Sequence, residues 1–222
     1  GRSMARYSFP ILQLATPCNI HQGLYGALEM IAKEIEGNTK ANLLLKVARR
    51  SASESINLTK EVKLLSRILS EQPVLHSIDV KSNIDAAIDI IKDLFPNKSI
   101  EVKKSINSHY LLASELFKMI FVNLLHNSVR LQGDKPIIEI ESITERTNVI
   151  ITISDHGPGI PDEMKSNLFK RFGIKGQKTR TGLGLSIVNA LVERYNGTIE
   201  VRDRVKGNHS LGAKFIMKFH HF

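Results

Sequence analysis

Three clusters of residues in the C-terminal half of the chain could do chemistry together. Asp155 ends an apolar run, Val149-Ile-Ile-Thr-Ile-Ser154, and is followed by Gly157 and Gly159. An ionised carboxylate accepts hydrogen bonds and donates none, so at a cleft it suits an exocyclic amine such as that of adenine. Glycines let backbone approach a flat ring and take positive φ. Gly182 and Gly184 stand between a polar loop and an apolar helical run, Leu185–Tyr195. A glycine-rich helix N-terminus offers free N–H groups and a positive dipole end to phosphates. The preceding loop, Gly173–Arg180, carries Lys175, Lys178 and Arg180, which suit a lid over a polyphosphate. Asn123 and Asn127 share one face of a helical run, Ser114–Leu131, whose Leu116, Ile120 and Leu124 cover the core side. Two amides facing a cleft can hold a Mg2+ ion that keeps most of its waters, and Arg130, one turn on, can reach a phosphate. Each cluster alone has an ordinary reading: an Asp-Gly turn, a Gly-capped helix, a solvated helix face. In the order NLLHN, DHGPGIP, TGLGLSIV they read as a nucleotide pocket.

The elements that must position these residues fall into two parts, divided near Glu71-Gln72-Pro73. Before Pro73 the chain reads as all-helical. Leu24, Leu28, Ile31 and Ile35 recur at helical spacing, Gly37-Asn38 breaks the pattern, and Thr39 can cap the next helix. There Leu44, Ala48, Ser51, Ser55, Leu58, Val62, Leu65 and Leu69 alternate three- and four-residue steps, a heptad seam. One helical hairpin cannot bury such a seam alone, so the pattern predicts a homodimer through residues 11–71, closed as a four-helix bundle. After Pro73 β-rich runs at Ser77–Val80, Ile100–Val102, Ile137–Ile143, Val149–Ser154, Thr198–Arg202 and Lys214–Phe219 alternate with helical runs at Asn83–Leu94, Ser114–Leu131 and Leu185–Tyr195. Thr144 to Asn148 makes a hairpin turn. The expected fold is an α+β sandwich with helices on one face of a mixed sheet. The domain boundaries expected are 5–72 for the hairpin and 73–222 for the nucleotide part.

The 222 residues, 42% of them hydrophobic, suffice for one large or two small domains. No apolar run approaches the ~18 residues of a membrane span. Gly1-Arg2-Ser3-Met4 reads as a cloning remnant ahead of an internal start, which predicts an excised fragment whose upstream sensor region lies elsewhere. The single cysteine, Cys18, excludes an internal disulfide framework and fits a reducing, cytoplasmic compartment. The formal charge is +9, but the basic residues are scattered and aromatics make up 6%. A solvated basic surface, partly drawn toward a polyphosphate, is therefore expected, with neither nucleic acid nor membrane as partner.

With these residues in view, the region from about Ser77 to Phe219 resembles the catalytic ATP-binding domain of sensor histidine kinases, in the GHKL superfamily with its Bergerat fold. NLLHN matches the family's N box, DHGPGIP its G1 box, Leu168-Phe-Lys-Arg-Phe172 its F box and TGLGLSIV its G2 box. The resemblance implies that Asp155 binds adenine, that Asn127 with Asn123 holds Mg2+, and that Gly182 and Gly184 let the lid close on the phosphates of ATP. It also puts Ile160, Phe172, Thr181, Leu183 and Leu185 at the nucleotide. One departure is Gly212-Ala213-Lys214-Phe215, where the family often has Gly-Thr-x-Phe. ATP-hydrolysing members carry a glutamate four residues before the metal asparagine as general base. Here that position is Asn123, which cannot take a proton. The pattern implies phosphotransfer, with the base supplied elsewhere.

The helical hairpin resembles the dimerisation and phosphoacceptor domain of the same kinases, in which a histidine with an adjacent acid is the nucleophile. Aligning Thr16-Pro17 with the H-E-x-x-T-P form puts the acceptor slot at Leu12. Aligning Asn19-Ile-His-Gln-Gly23 with the H-D-x-x-N-x-x-Q-G form puts it at Ala15, with Thr16 in place of the acid. The second register agrees with the downstream Gly26-Ala-Leu-Glu29. Three readings stand: an engineered His-to-Ala change at position 15, a naturally degenerate hairpin, or acceptor duty passed to His21, whose ordinary reading is a surface or groove histidine. His76 falls in the linker, His126 and His156 fall inside the nucleotide boxes, and His109, His209, His220 and His221 read as surface positions. Pro17 should bend the first helix. By the resemblance, a competent homologue passes phosphate from ATP to the hairpin histidine and on to an aspartate of a response regulator receiver domain. This chain is expected to bind nucleotide and to autophosphorylate poorly. Two alternatives are a non-catalytic dimeric scaffold and a serine kinase of the anti-sigma-factor type, and the long hairpin and Asn123 speak against the latter.

Overall fold

The computed structural model describes residue 24 and residues 26–31, 39–169 and 183–220. The expectations placed on Ala15, Pro17, His21, Phe172, Lys175, Lys178, Arg180, Thr181, Gly182 and His221 lie outside the described residues. The chain forms two units, residues 1–62 and 63–222.

In the first unit, residues 26–31 are helical, and α1 (Thr39–Ser70) begins after them. Arg49 reaches back to Glu29 at 3.2 Å, an ion pair between the two helical stretches. In α1, Leu45 and Ala52 are buried, whereas Leu44, Ser51, Ser55, Leu58 and Val62 of the heptad seam stay exposed in the single chain. The last turns of α1 belong to the second unit. Ile68 is fully buried in its core, with Leu64 and Leu65 packed against it. This apolar face carries the last turns of α1 into the core of the second unit.

The second unit is the expected α+β sandwich. Its elements are β1 (His76–Asp79), α2 (Val80–Leu94), β2 (Glu101–Ser105), β3 (Tyr110–Ala113), a 3-10 turn (Glu115–Phe117), α3 (Lys118–Leu131), β4 (Ile137–Glu145), β5 (Asn148–Asp155), a short α4 (Asp162–Lys165), α5 (Leu183–Arg194), β6 (Thr198–Val205) and β7 (Asn208–His220). A five-stranded sheet runs β2-β4-β5-β7-β6, with β2 parallel to β4 and the other neighbours antiparallel. Strands β1 and β3 make a separate antiparallel pair. On β7, Ala213, Phe215, Met217 and Phe219 alternate inward, the period-two signature of a sheet with one covered face. Helix α2 supplies Val80, Ile84, Ala87, Ile88 and Ile91 to the same core. Phe117 anchors its centre, edge-on to Phe121 and Phe219 at 5.3 Å and to Tyr195 at 5.7 Å. Among the described residues no helix is long and apolar enough to cross a membrane.

Four local points differ from the sequence reading. Val80 is the first residue of α2, not the last of a strand, because the Asp79 side chain accepts the Ser82 N–H at 2.9 Å and caps the helix there. Strand β3 shows no alternation long enough to be read from sequence; pairing with β1, His76 opposite Ala113, creates it. His109 is not a surface residue. It is 4% exposed, its carbonyl accepts the Val80 N–H, and its ring lies between the hydroxyls of Ser142 (3.0 Å) and Thr144 (3.2 Å). The expected hairpin turn is real but tighter than Thr144–Asn148. The ladder continues to Glu145 opposite Asn148, leaving Arg146 and Thr147 as the turn, with Arg146 at φ 54°.

Candidate functional site

Strand β5 ends at Asp155, and the buried ladder around it explains where the carboxylate goes. Ile138 of β4 pairs with Asp155, and β7 runs along its other side. The Asp155 side chain is 7% exposed, so its oxygens must find donors. Oδ1 accepts the backbone N–H of Gly157 at 2.9 Å and that of Ala213 at 3.3 Å; Oδ2 accepts the hydroxyl of Ser128, on α3, at 3.2 Å. The acid is thus tied to a helix, a strand and its own turn.

The glycines after it keep space clear. A Cβ on Gly157 would meet Asp155 Oδ1 at 2.9 Å. Gly159 has φ +65° and a Cβ there would lie 1.6 Å from the His209 carbonyl oxygen. Gly212, at φ +111°, brings β7 so close that a Cβ would lie 1.8 Å from the Asp155 carbonyl oxygen. No side chain fits at the last two positions. Ile160 packs its half-buried side chain against the core. Beyond it Lys165 binds Asp162 and Asp203, which fastens α4 to β6. His156 turns to Glu139 at 3.1 Å.

Helix α3 carries the second wall. Ile120, Phe121, Leu124, Leu125, Ser128 and Val129 face inward, and Asn123, Asn127 and Arg130 are half-buried on the remaining side. The Asn123 amide nitrogen donates to the Met119 carbonyl at 2.8 Å, which fixes the side chain and leaves its oxygen turned toward α5. That oxygen is 3.0 Å from where a Cβ on Gly184 would stand. The first turn of α5, where Leu183 is buried and Leu185 half-buried, therefore meets the asparagine face of α3. Tyr195, just past α5, bonds Ser114, just before the 3-10 turn, at 2.7 Å and holds the two helices together at their far ends. Burial raises the Tyr195 phenol above its usual value, a rise the Ser114 bond only partly opposes.

The structure brings together Asp155, Gly157, Gly159 and Ile160 at the β5 end, and Asn123, Leu183, Gly184 and Leu185 at the α3–α5 contact. Asn127 and Arg130 share the α3 face. Four contributors are invisible in the motif pattern. Ser128 looks like a small polar residue in an apolar helix, and Ala213 like a bare departure from Gly-Thr-x-Phe. Gln132 accepts the Ile137 N–H at 2.9 Å and donates to the carbonyls of Ser128 (3.2 Å) and Ile137 (3.3 Å), stapling the end of α3 to β4. Lys98 donates to the Val129 and Gln132 carbonyls at 2.8 and 2.7 Å, capping the same helix end. The Lys98 partners are 31 and 34 residues away, so no local spacing signals them.

An acceptor-only carboxylate beside cleared backbone can take an amine. The fixed amide oxygen of Asn123 is a hard ligand of the kind a magnesium ion takes, so the residues present fit both groups. Residues 113–221 match the family model described as histidine kinase-, DNA gyrase B-, and HSP90-like ATPase. Sensor histidine kinase YclK of Bacillus subtilis (strain 168) is 28% identical over 221 residues, which is 93% of this chain and 44% of that protein. Full-length ShkA in complex with AMPPNP superposes with a TM-score of 0.68 at 20% identity, over 92% of this chain and 45% of that one. Histidine kinase ThkA in complex with response regulator protein TrrA gives 0.66 at 19%, over 93% of this chain and 58% of that one. The chain thus spans less than half the length of YclK.

Proposed function

We propose, for a chain that belongs through residues 113–221 to the histidine kinase-, DNA gyrase B- and HSP90-like ATPase family, that it is the ATP-binding and dimerisation core of a two-component sensor histidine kinase. The observation that carries this is the Asp155 carboxylate, held at the end of β5 by Ser128, Gly157 and Ala213 beside backbone that admits no side chain. In this reading Asp155 takes the adenine amine, with Ile160 against the ring. The first turn of α5, from Leu183 through Gly184 and Leu185, would turn its N–H groups to the phosphates, with Thr181 and Gly182 contributing from the preceding residues. Arg130 and the loop cations Lys175, Lys178 and Arg180 would add charge around them, and Phe172 would pack near the base. Asn123 and Asn127 would hold Mg2+, which when bound neutralises developing charge on the phosphates. The protein's own share would be positioning: α3 and the fixed carboxylate would align ATP for in-line transfer to the hairpin imidazole that a competent homologue carries. Asn123 cannot deprotonate water, which favours transfer over hydrolysis.

ThkA forms a complex with the response regulator TrrA, and a receiver domain is accordingly the proposed partner of this chain. The proposed division is residues 5–72 for the dimeric hairpin and 73–222 for the ATP-binding domain. A second reading rests on Ala15, which occupies the slot of the acceptor histidine. Without that histidine the chain would be a nucleotide-binding dimeric scaffold. Incubation with γ-labelled ATP separates the readings. Acid-labile label on Ala15→His and none on the present chain supports a kinase core with its acceptor removed. Robust label on the present chain would sink the assignment of Ala15, and failure of ATP to raise the melting temperature would sink the pocket.

A further inference from the structure

Asp155 is held in an uneven way. An ionised carboxylate has about four acceptor positions. Among the described residues, two donors converge on Oδ1, the N–H groups of Gly157 (2.9 Å) and Ala213 (3.3 Å), and one, the Ser128 hydroxyl (3.2 Å), reaches Oδ2. Oδ1 is thereby filled, and Oδ2 keeps one position for a ligand. Ser128 is the single side-chain donor in this set. It is 2% exposed and sits on α3, one residue after Asn127, wedged between the metal-and-phosphate face of that helix and the end of β5. On the opposite side β7 offers only a backbone N–H, because position 213 is alanine, a residue with no hydroxyl to give. Without Ser128, Oδ2 would hold two vacant acceptor positions, and the carboxyl group would be held at Oδ1 alone, by two backbone N–H groups.

We propose that Ser128 is a specificity-positioning residue: its buried hydroxyl fixes the rotation of the Asp155 carboxylate so that one Oδ2 lone pair meets the purine amine, and it thereby sets the preference for amino-purine over amine-free nucleotides. This rests on the reading of Asp155 as the adenine acceptor. A site built to bond a substrate N–H rejects an analogue lacking it because the acceptor is left unpaired. That penalty needs the acceptor to stay aimed at the ligand, which is what the hydroxyl does. The Ser128 hydroxyl bonds the Asp155 carboxylate, so its effect is expected on the base.

The test compares affinities of the whole chain for ATP and for purine riboside 5′-triphosphate, which has the same ring without the amine, by calorimetric titration. The unsubstituted chain is expected to prefer ATP by about tenfold or more, the scale of a hydrogen bond to a charged group. In Ser128→Ala the preference should fall severalfold through weaker ATP binding, with affinity for the analogue held within about twofold. Ser128→Cys, nearly the same size with a weak donor, should fall between. If Ser128→Ala keeps the full preference, or loses affinity for both nucleotides equally, the hydroxyl only supports the fold and the proposal is overturned. If the unsubstituted chain itself fails to prefer ATP, the reading of Asp155 falls first and takes this inference with it.

Discussion

At the scale of single residues, the pocket is a matter of which oxygen has a donor and which backbone has room. Asp155→Asn replaces an acceptor-only group with an amide, whose NH2 would face the N–H groups of Gly157 or Ala213 or the incoming amine. ATP affinity should fall tenfold or more, since hydrogen bonds to charged groups carry about 1.5–3 kcal/mol, while a urea melt still shows one cooperative transition. Equal ATP affinity in the two proteins would remove Asp155 from the site. Gly159 has a different role. At φ +65°, with a Cβ position 1.6 Å from a carbonyl oxygen, Gly159→Ala must displace the turn from β7. It should destabilise the chain by about 1–3 kcal/mol and weaken ATP binding as well. A variant that melts and binds like the parent would show the turn to be slack.

Elements decide how those residues meet. Helix α3 is fixed along its whole length: Ser114 and Tyr195 tie its approach, Asn123 bonds within it, and Gln132 and Lys98 hold its end. The lysine also opposes the negative end of the helix dipole. The Tyr195–Ser114 bond gives this scale a pH signature. The native state keeps the phenol neutral more strongly than the unfolded chain does, so its pKa is raised on folding. That contribution is complete below the unfolded value, about 10, and is lost as pH climbs from there through the folded value. Stability measured by denaturant between pH 9 and 11 should therefore fall with a component that Tyr195→Phe removes. The same variant should cost about 1 kcal/mol at neutral pH by stranding the buried Ser114 hydroxyl. An identical alkaline slope in both proteins would contradict the assignment.

For the whole molecule, the open question is what covers the heptad seam of α1. Leu44, Leu58 and Val62 are 64%, 40% and 45% exposed in the single chain, an apolar stripe on a helix that reads as one half of a bundle. We expect a dimer in solution through residues 11–71, and Leu58→Glu should shift sedimentation to the monomer while leaving the ATP-dependent rise in melting temperature intact. A monomeric parent chain would refute the seam reading. Retained nucleotide binding in the monomer is the outcome consistent with a second unit that has its own core.

The sequence by itself determined what depends on local pattern. The β-rich runs of β5 and β7, the helical spacing of α2 and α3 and the spacing of Asn123, Asp155 and Gly184 were legible because residue type and periodicity are properties of neighbours. Only the tertiary structure decided the rest. Strand β3 exists because β1 pairs with it, His109 is buried because two hydroxyls of β4 receive its ring, and the last turns of α1 belong to the second unit because Ile68 finds that core. Ser128, Lys98 and Ala213 acquire their roles from partners 27 to 58 residues away. A hydrogen bond across that separation leaves no period in the chain, and whether a given hydroxyl or N–H reaches a carboxylate is fixed only when the core has packed.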